Sequence, residues 1–273
     1  MSTISRTAEV ATIDPVWDAV TSGARHVAQS EPSLANLVYS SVLNHDSFES
    51  ALAHRLAERL GHPDVSADLV RQAFHDALEL RPEIGLEARA DLAATLERDP
   101  ALHKAVDGFL YFKGYHAIQT HRFTHALWMN GRKDFALYLQ SRSSAVFQVD
   151  INPAARIGKG IMLDHATGFV VGETATIGDN VSILQGVTLG GTGKSEEDRH
   201  PKIGNGVLIG AHAVVLGNIR VGDCARIGAG SVVVKEVPPR VTVAGVPARI
   251  IGEAGAPHPS SVMDQVAAVD MTG

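Results

Sequence analysis

The stretch I-N-P-A-A-R-I-G-K-G-I-M-L-D-H-A-T-G, residues 151–168, counts in sixes, with Ile151, Ile157 and Leu163 each opening a block. The count slips by two across Phe169-Val170, then resumes at Val171, Ile177, Ile183 and Leu189. It breaks at G-G-T-G-K-S-E-E-D-R-H-P-K, residues 190–202, and returns at Ile203, Ile209, Val215, Val221, Ile227 and Val233. All thirteen openings are aliphatic, and glycine follows eight of them: Gly158, Gly172, Gly178, Gly190, Gly204, Gly210, Gly222 and Gly228. A second small or β-branched set, including Ala155, Thr167, Val181, Val207, Ala213 and Ser231, comes four residues after the openings. A six-residue period is the signature of a parallel β-helix, in which each block is a short strand with its aliphatic residue turned inward. A sandwich of short strands instead spaces its turn signals by about eight to twelve residues. Three blocks close one triangular coil, and since no block can bury its apolar residue alone, the stack forms as a unit.

Working outward, residues 14 to about 146 read as helices. Asp14-Pro15 is an N-cap followed by proline at the first helical position, and Val16, Trp17, Val20, Ala24 and Val27 keep helical spacing. After a break at Ser30-Glu31-Pro32 come Leu34, Leu37, Val38, Val42 and Leu43. Asp46 starts a run through Leu52, Leu56 and Leu60 that Gly61 closes; Ser66 opens another, ended by Arg81-Pro82. Two longer helices follow Asp99-Pro100, one through Phe109, Phe112, Ile118 and Leu127, the next from Arg132 to about Phe147. Gly131 suits the left-handed position between them. On the first of this pair, His121 and His125 stand four apart, a spacing that can share a metal, but no third ligand lies nearby and packing accounts for them better. At the other end, Val241 to Ile251 reads as a closing segment. The expected domains are therefore 1–147, helical, 148–251, β-helical, and 252–273, a mobile tail rich in Gly, Ala, Pro and Ser.

Composition narrows the function classes. Apolar content of 45% with 20% charged residues describes a globular chain, and a net charge of −6 offers no nucleic-acid surface. The N-terminus lacks the plan of a signal peptide, and no apolar run reaches membrane-helix length. Cys224 is the one cysteine, which excludes an intrachain disulfide and fits a reducing compartment. A soluble, cytoplasmic protein with no membrane or nucleic-acid partner is expected.

Three features stand out against the repeat. Asp164-His165 occupies a corner where the chain prefers glycine. Asp150 precedes the first block, about one coil from His165, and a carboxylate that orients an imidazole is the usual way to make a base near neutral pH. Arg199-His200 sits on the excursion that interrupts the count, and loops leaving a rigid scaffold often carry function. G-T-G-K-S at 191–195 imitates a phosphate-binding loop but lacks the earlier glycine, Thr188 standing in that place, and lacks the strand–helix context.

The run from F-Q-V-D-I-N-P-A-A-R through L-D-H-A-T-G, L-G-G-T-G-K-S and D-R-H-P-K to A-G-V-P-A-R-I closely resembles bacterial serine O-acetyltransferase. R-D-P-A at 98–101 and Y-F-K-G-Y-H-A at 111–117 are similar too. The resemblance implies an α+β fold, an α-helical domain followed by a left-handed parallel β-helix, and transfer of acetyl from acetyl-CoA, as co-substrate, to the hydroxyl of L-serine. It implies His165 as general base, Asp150 as its orienting partner, and Asp99, Asp164, Arg199 and His200 as the groups that hold serine. Acetyl-CoA would lie near Gly191, Ala211 and Ala229, with Arg249 toward a phosphate, and no metal is required. It further implies feedback inhibition by L-cysteine, and a homotrimer or a hexamer built as a dimer of trimers. Relatives that dock onto O-acetylserine sulfhydrylase do so with a C-terminal isoleucine, whereas this chain ends Asp270-Met271-Thr272-Gly273, so that partner is not expected. Rival readings of the residues are the same scaffold acting on another acceptor, a trimeric metal-dependent hydratase of the carbonic anhydrase type using His165, His200 and His212, and a non-catalytic scaffold.

Overall fold

The helical half starts where its caps dictate. The computed structural model describes residues 14–193 and 196–265. Helix α1 (Pro15–Ser30) begins at the predicted cap, the Asp14 carboxylate accepting from the Trp17 N–H at 3.1 Å. A 3-10 turn (Pro32–Leu34), α2 (Ala35–Val38) and a π turn (Tyr39–Leu43) lead to α3 (Phe48–Leu60), whose cap is Ser47 rather than Asp46. Ser66 caps α4 (Ala67–Leu80). Next comes a helix that periodicity misses, α5 (Glu83–Arg98), because its buried face carries Asp91, Thr95 and Arg98 among its aliphatics. The single helix expected through Phe109 and Leu127 is two, α6 (Ala105–Tyr111) and α7 (Lys113–Met129), broken at an extended Phe112. Helix α8 (Lys133–Phe147) ends the half, and Gly131 takes its left-handed turn (φ 82°) before it. None of the described helices is long and apolar enough to cross a membrane.

Thirteen short strands then follow, and each contains one of the thirteen aliphatic openings: β1 (Val149–Ile151), β2 (Arg156–Ile157), β3 (Met162–Leu163), β4 (Phe169–Val171), β5 (Thr176–Ile177), β6 (Ser182–Ile183), β7 (Thr188–Gly190), β8 (Lys202–Ile203), β9 (Leu208–Ile209), β10 (Val214–Leu216), β11 (Arg220–Val221), β12 (Arg226–Ile227) and β13 (Val232–Val233). They stack in parallel on three faces, β1-β4-β7-β10-β13, β2-β5-β8-β11 and β3-β6-β9-β12, with inward residues in register, as in Leu163↔Ile183 and Val171↔Leu189. A hairpin of β14 (Val241–Gly245) and β15 (Ala248–Glu253) closes the far end of the third face.

The near end of the solenoid is a set of unpaired strand edges, and their backbone groups need partners. Polar side chains of α5 and α7 supply them. Asp91 accepts from the Ile161 N–H at 2.8 Å, while Arg98 donates to the Gly160 carbonyl at 3.0 Å and Arg122 to that of Gly158 at 2.6 Å. Two bonds from Arg122, at 2.7 and 2.9 Å, and one from Gln119 converge on the same Asp91 carboxylate, which is fully buried. Removing one member of such a pair strands the other charge in the interior. Asp91→Ala is therefore expected to lose about 3–5 kcal/mol of stability, read as a lowered denaturation midpoint. An unchanged midpoint would contradict this role.

The described residues beyond the hairpin are packed, where the sequence predicts mobility. Residues 254–265 lie along the outer side of the third face, where outward-pointing Met162, Ser182, Leu208, Arg226 and Thr242 are all buried. Ser182 donates to the Ser260 carbonyl at 2.8 Å, Arg226 pairs with Asp264 at 3.3 Å, and a short helix α9 (Pro259–Val262) buries Pro259 and Ser260. Those polar anchors replace the apolar pattern whose absence marks the segment as mobile. The terminal Asp270–Gly273 lies outside the described residues.

Candidate active site

The two-residue slip in the count widens one corner of the first coil, between β3 and β4. In the later rungs of this edge one residue, three past the opening, takes a positive φ: Gly186, His212 and Gly230. In the widened corner both His165 (φ 53°) and Ala166 (φ 62°) do so. Two successive non-glycine residues in that region are uncommon and mark a corner over-determined by its surroundings. Gly168 donates to the Gln148 carbonyl at 2.8 Å on one side. On the other, α7 starts so close that a Cβ on Gly114 would run into the Leu163 carbonyl oxygen, and Lys113 donates to the Thr167 hydroxyl. The result lifts the His165 side chain to 75% exposure, its Nε2 3.9 Å from the Asp164 carboxylate.

This imidazole opens onto a cavity of about 800 Å³ bounded by the end of α5, the start of α7, the β3 corner and residues 261–263. Asp99, at the C-cap of α5, and Asp164 both line it. Burial pushes the Asp164 carboxyl up, the nearby Asp99 adds to that, and His165 opposes it. Two carboxylates facing one cavity form a site for a cation. Arg98 and Lys113, to which sequence reasoning gave no role, also line the cavity; both stand within the quoted runs R-D-P-A and Y-F-K-G-Y-H-A, and only the fold reveals that they face it.

The remaining predicted residues divide between two edges of the solenoid. Ala211 and Ala229 stack above His165, since Leu163, Ile183, Ile209 and Ile227 are consecutive rungs. Gln185, unforeseen, completes the column. Arg249, paired with Ala244, stands at its top on β15, about 24 Å from the β3 rung at roughly 4.8 Å per strand. Beyond Gln185 this edge offers the small side chains of Ala211 and Ala229, leading from the imidazole toward a cation.

Gly191, Arg199 and His200 occupy the other edge, between the first and second faces. His200 is buried there. The Thr174 N–H donates to its Nδ1 at 3.2 Å, placing the ring proton on Nε2, and the ring lies where a Cβ on Gly172 would be. Burial first, then Arg199 and Lys202, lower its pKa. Arg199 bonds Glu173 at 2.6 Å and the carbonyls of Glu196 and Glu197, and neither residue lines the His165 cavity. Asp150 points outward from β1 and accepts from Gln140 at 2.6 Å. Among the described residues no hydrogen bond joins it to His165. One chain thus brings His165, Asp164 and Asp99 together, and leaves Arg199 and His200 for another surface.

The chain is similar to known proteins over most of its length. The family profile "Serine acetyltransferase, N-terminal" matches residues 16–120, and "Bacterial transferase hexapeptide (six repeats)" matches 200–235. A serine acetyltransferase of Salmonella typhimurium is 52% identical over 253 residues, 93% of both chains. The crystal structure of the Brucella abortus serine acetyltransferase in complex with coenzyme A is 61% identical with a TM-score of 0.88, covering 89% of this chain and 98% of that one. A serine acetyltransferase in complex with cysteine superposes with a TM-score of 0.91 at 50% identity, covering 92% and 98%.

Proposed function

Since this chain belongs to the serine acetyltransferase family, we propose that its His165 corner is where L-serine is deprotonated and acetylated. The enzyme is a serine O-acetyltransferase, an acyltransferase that uses acetyl-CoA. The observation that carries the local reading is the shared cavity of His165, Asp164 and Asp99. The two carboxylates take the ammonium of serine, which sets its hydroxyl against the imidazole. His165 removes the hydroxyl proton as the oxygen attacks the thioester carbonyl, with backbone N–H groups stabilising the oxyanion. Collapse of the tetrahedral intermediate expels the CoA thiolate, which recovers the proton from the imidazolium. Acetyl-CoA lies along the Gln185–Ala211–Ala229 edge, where little side chain stands in its way, and reaches Arg249 with a phosphate.

The serine carboxylate calls for a cation. Arg199 can clasp it by two parallel bonds, with His200 beside it, only if a second copy brings that edge against the His165 edge of the first. The site is then complete only between copies, which favours a closed ring of at least three. Outward-facing Val170, Val214 and Val232 on the first face are an apolar surface suited to that contact. L-cysteine, which differs from serine by one atom, fits the same pocket and acts as a competing inhibitor.

The test is CoA release from acetyl-CoA with L-serine, repeated with homoserine and with added L-cysteine. Release should depend on L-serine, fall with homoserine and be suppressed by L-cysteine; no serine-dependent release would overturn the reading. Asp164→Asn should raise the KM for serine by about tenfold to a hundredfold, the worth of one bond to a charged group, with a smaller fall in kcat. An unchanged KM would remove Asp164 from the serine site.

A further inference from the structure

A second cavity, of about 320 Å³, opens where α7 crosses β2, away from the acetyl-CoA column. Arg81, His121, Arg122, His125, Arg156 and Ile157 line it. His121 Nε2 lies 3.1 Å from the Ala155 carbonyl and His125 Nδ1 2.8 Å from that of Pro153. A carbonyl only accepts, so each of these nitrogens carries the ring proton, and the other nitrogen of each ring carries a lone pair. His121 Nδ1 is buried without a hydrogen-bond partner, which costs free energy unless a donor arrives. Burial, then the neighbouring His125, Arg122 and Arg81, hold His121 neutral; burial, with Arg81 and Arg156, does the same for His125, against Glu87.

The charges around the rings are unevenly spent. Arg122 is closed off by Asp91 and Glu87, and Arg81 binds Glu87. Glu173 and Asp198, which share a neighbouring hollow with His125 and Arg156, are already paired with Arg199 and Lys202. Among the described residues the Arg156 side chain makes no hydrogen bond or ion pair. The cleft thus presents cationic donors together with two neutral acceptors. A bare cation is opposed by the arginines, and the described residues hold no group of three or more His, Cys, Asp or Glu suited to a metal.

We propose that this cleft binds a small oxyanion that retains a proton, of the inorganic phosphate kind. Arg156 meets its charge, and the imidazole lone pairs accept its O–H. Sulfate has the same shape but no proton at neutral pH, so it leaves those lone pairs facing an oxygen. Sites that hydrogen-bond a substrate O–H discriminate strongly against analogues without one.

The experiment is calorimetric titration of the intact protein in phosphate-free buffer at neutral pH, with inorganic phosphate, sulfate, glycerol 3-phosphate and zinc in separate runs. Phosphate should saturate one site per chain with a Kd of about a millimolar or below, and sulfate should bind at least about tenfold more weakly. Equal glycerol 3-phosphate binding would identify a phosphomonoester as the ligand; weaker binding would identify the free ion. Arg156→Ala, at an exposed position, should weaken phosphate about tenfold or more, and His125→Phe should erase the preference over sulfate. No saturable phosphate binding, equal binding of sulfate, indifference to Arg156→Ala, or binding of zinc alone would overturn the proposal. Serine acetylation by the Arg156→Ala protein checks its fold independently, so failure here is distinct from failure of the acetyltransferase site.

Discussion

Replacing His165 by alanine is expected to lower serine acetylation by about 10²- to 10⁴-fold, the usual yield of a positioned general base, with fold and assembly intact. The structure separates the two effects. The imidazole is three-quarters exposed and, among the described residues, its one ionic contact is Asp164 at 3.9 Å; its removal opens no core cavity and strands no buried partner. Alanine is less favoured than histidine in the left-handed region, but Ala166 already holds that backbone next door (φ 62°), so the corner can keep its shape at a small cost. The loss should fall on kcat, because the carboxylates that hold the ammonium remain. A variant with near-normal turnover would show that the proton leaves by another route, whereas one that failed to fold would show that the corner depends on the ring.

The second large effect concerns copies of the chain. His165→Ala and His200→Ala should each be severely impaired alone, yet oligomers assembled from an equal mixture should recover roughly a quarter of wild-type sites. That figure follows from random assortment across a heterologous interface, where each site draws one group from each neighbour. The basis is the separation of the two histidines onto different edges of the solenoid, with His200 buried against Gly172 and Thr174 and absent from the His165 cavity. If one chain supplied both groups, mixing would restore nothing.

The solenoid was readable because its strands repeat a local rule, one inward aliphatic per six residues, and each of the thirteen openings became a strand. The interruptions were as informative as the count. The slip at Phe169-Val170 is the widened corner that raises His165, and the break after Gly190 is the loop that carries Arg199 and His200. The helical half was harder to read for a physical reason. Helix α7 is buried nearly all round, with His116, Gln119, Thr120, His121, Arg122 and Thr124 inside, because it is wedged between α4, α5 and α8 on one side and the first coil, whose carbonyls meet His121 and Arg122, on the other. Helix α5 hides Asp91 and Arg98 for the same cause, and α6 breaks from α7 where Gly114 must clear Leu163, a contact about fifty residues away in sequence. Asp99 and Asp164 were singled out by motif, but their shared cavity is a product of that docking. Nothing local marks Gln185, or the packing of residues 254–265.

A structure of the assembled protein with L-serine bound tests the central claim most directly. It should place the serine hydroxyl about 3 Å from the His165 imidazole, the ammonium between Asp99 and Asp164, and the carboxylate against Arg199 of a neighbouring copy. Serine seated away from His165, or held wholly by one chain, would contradict it.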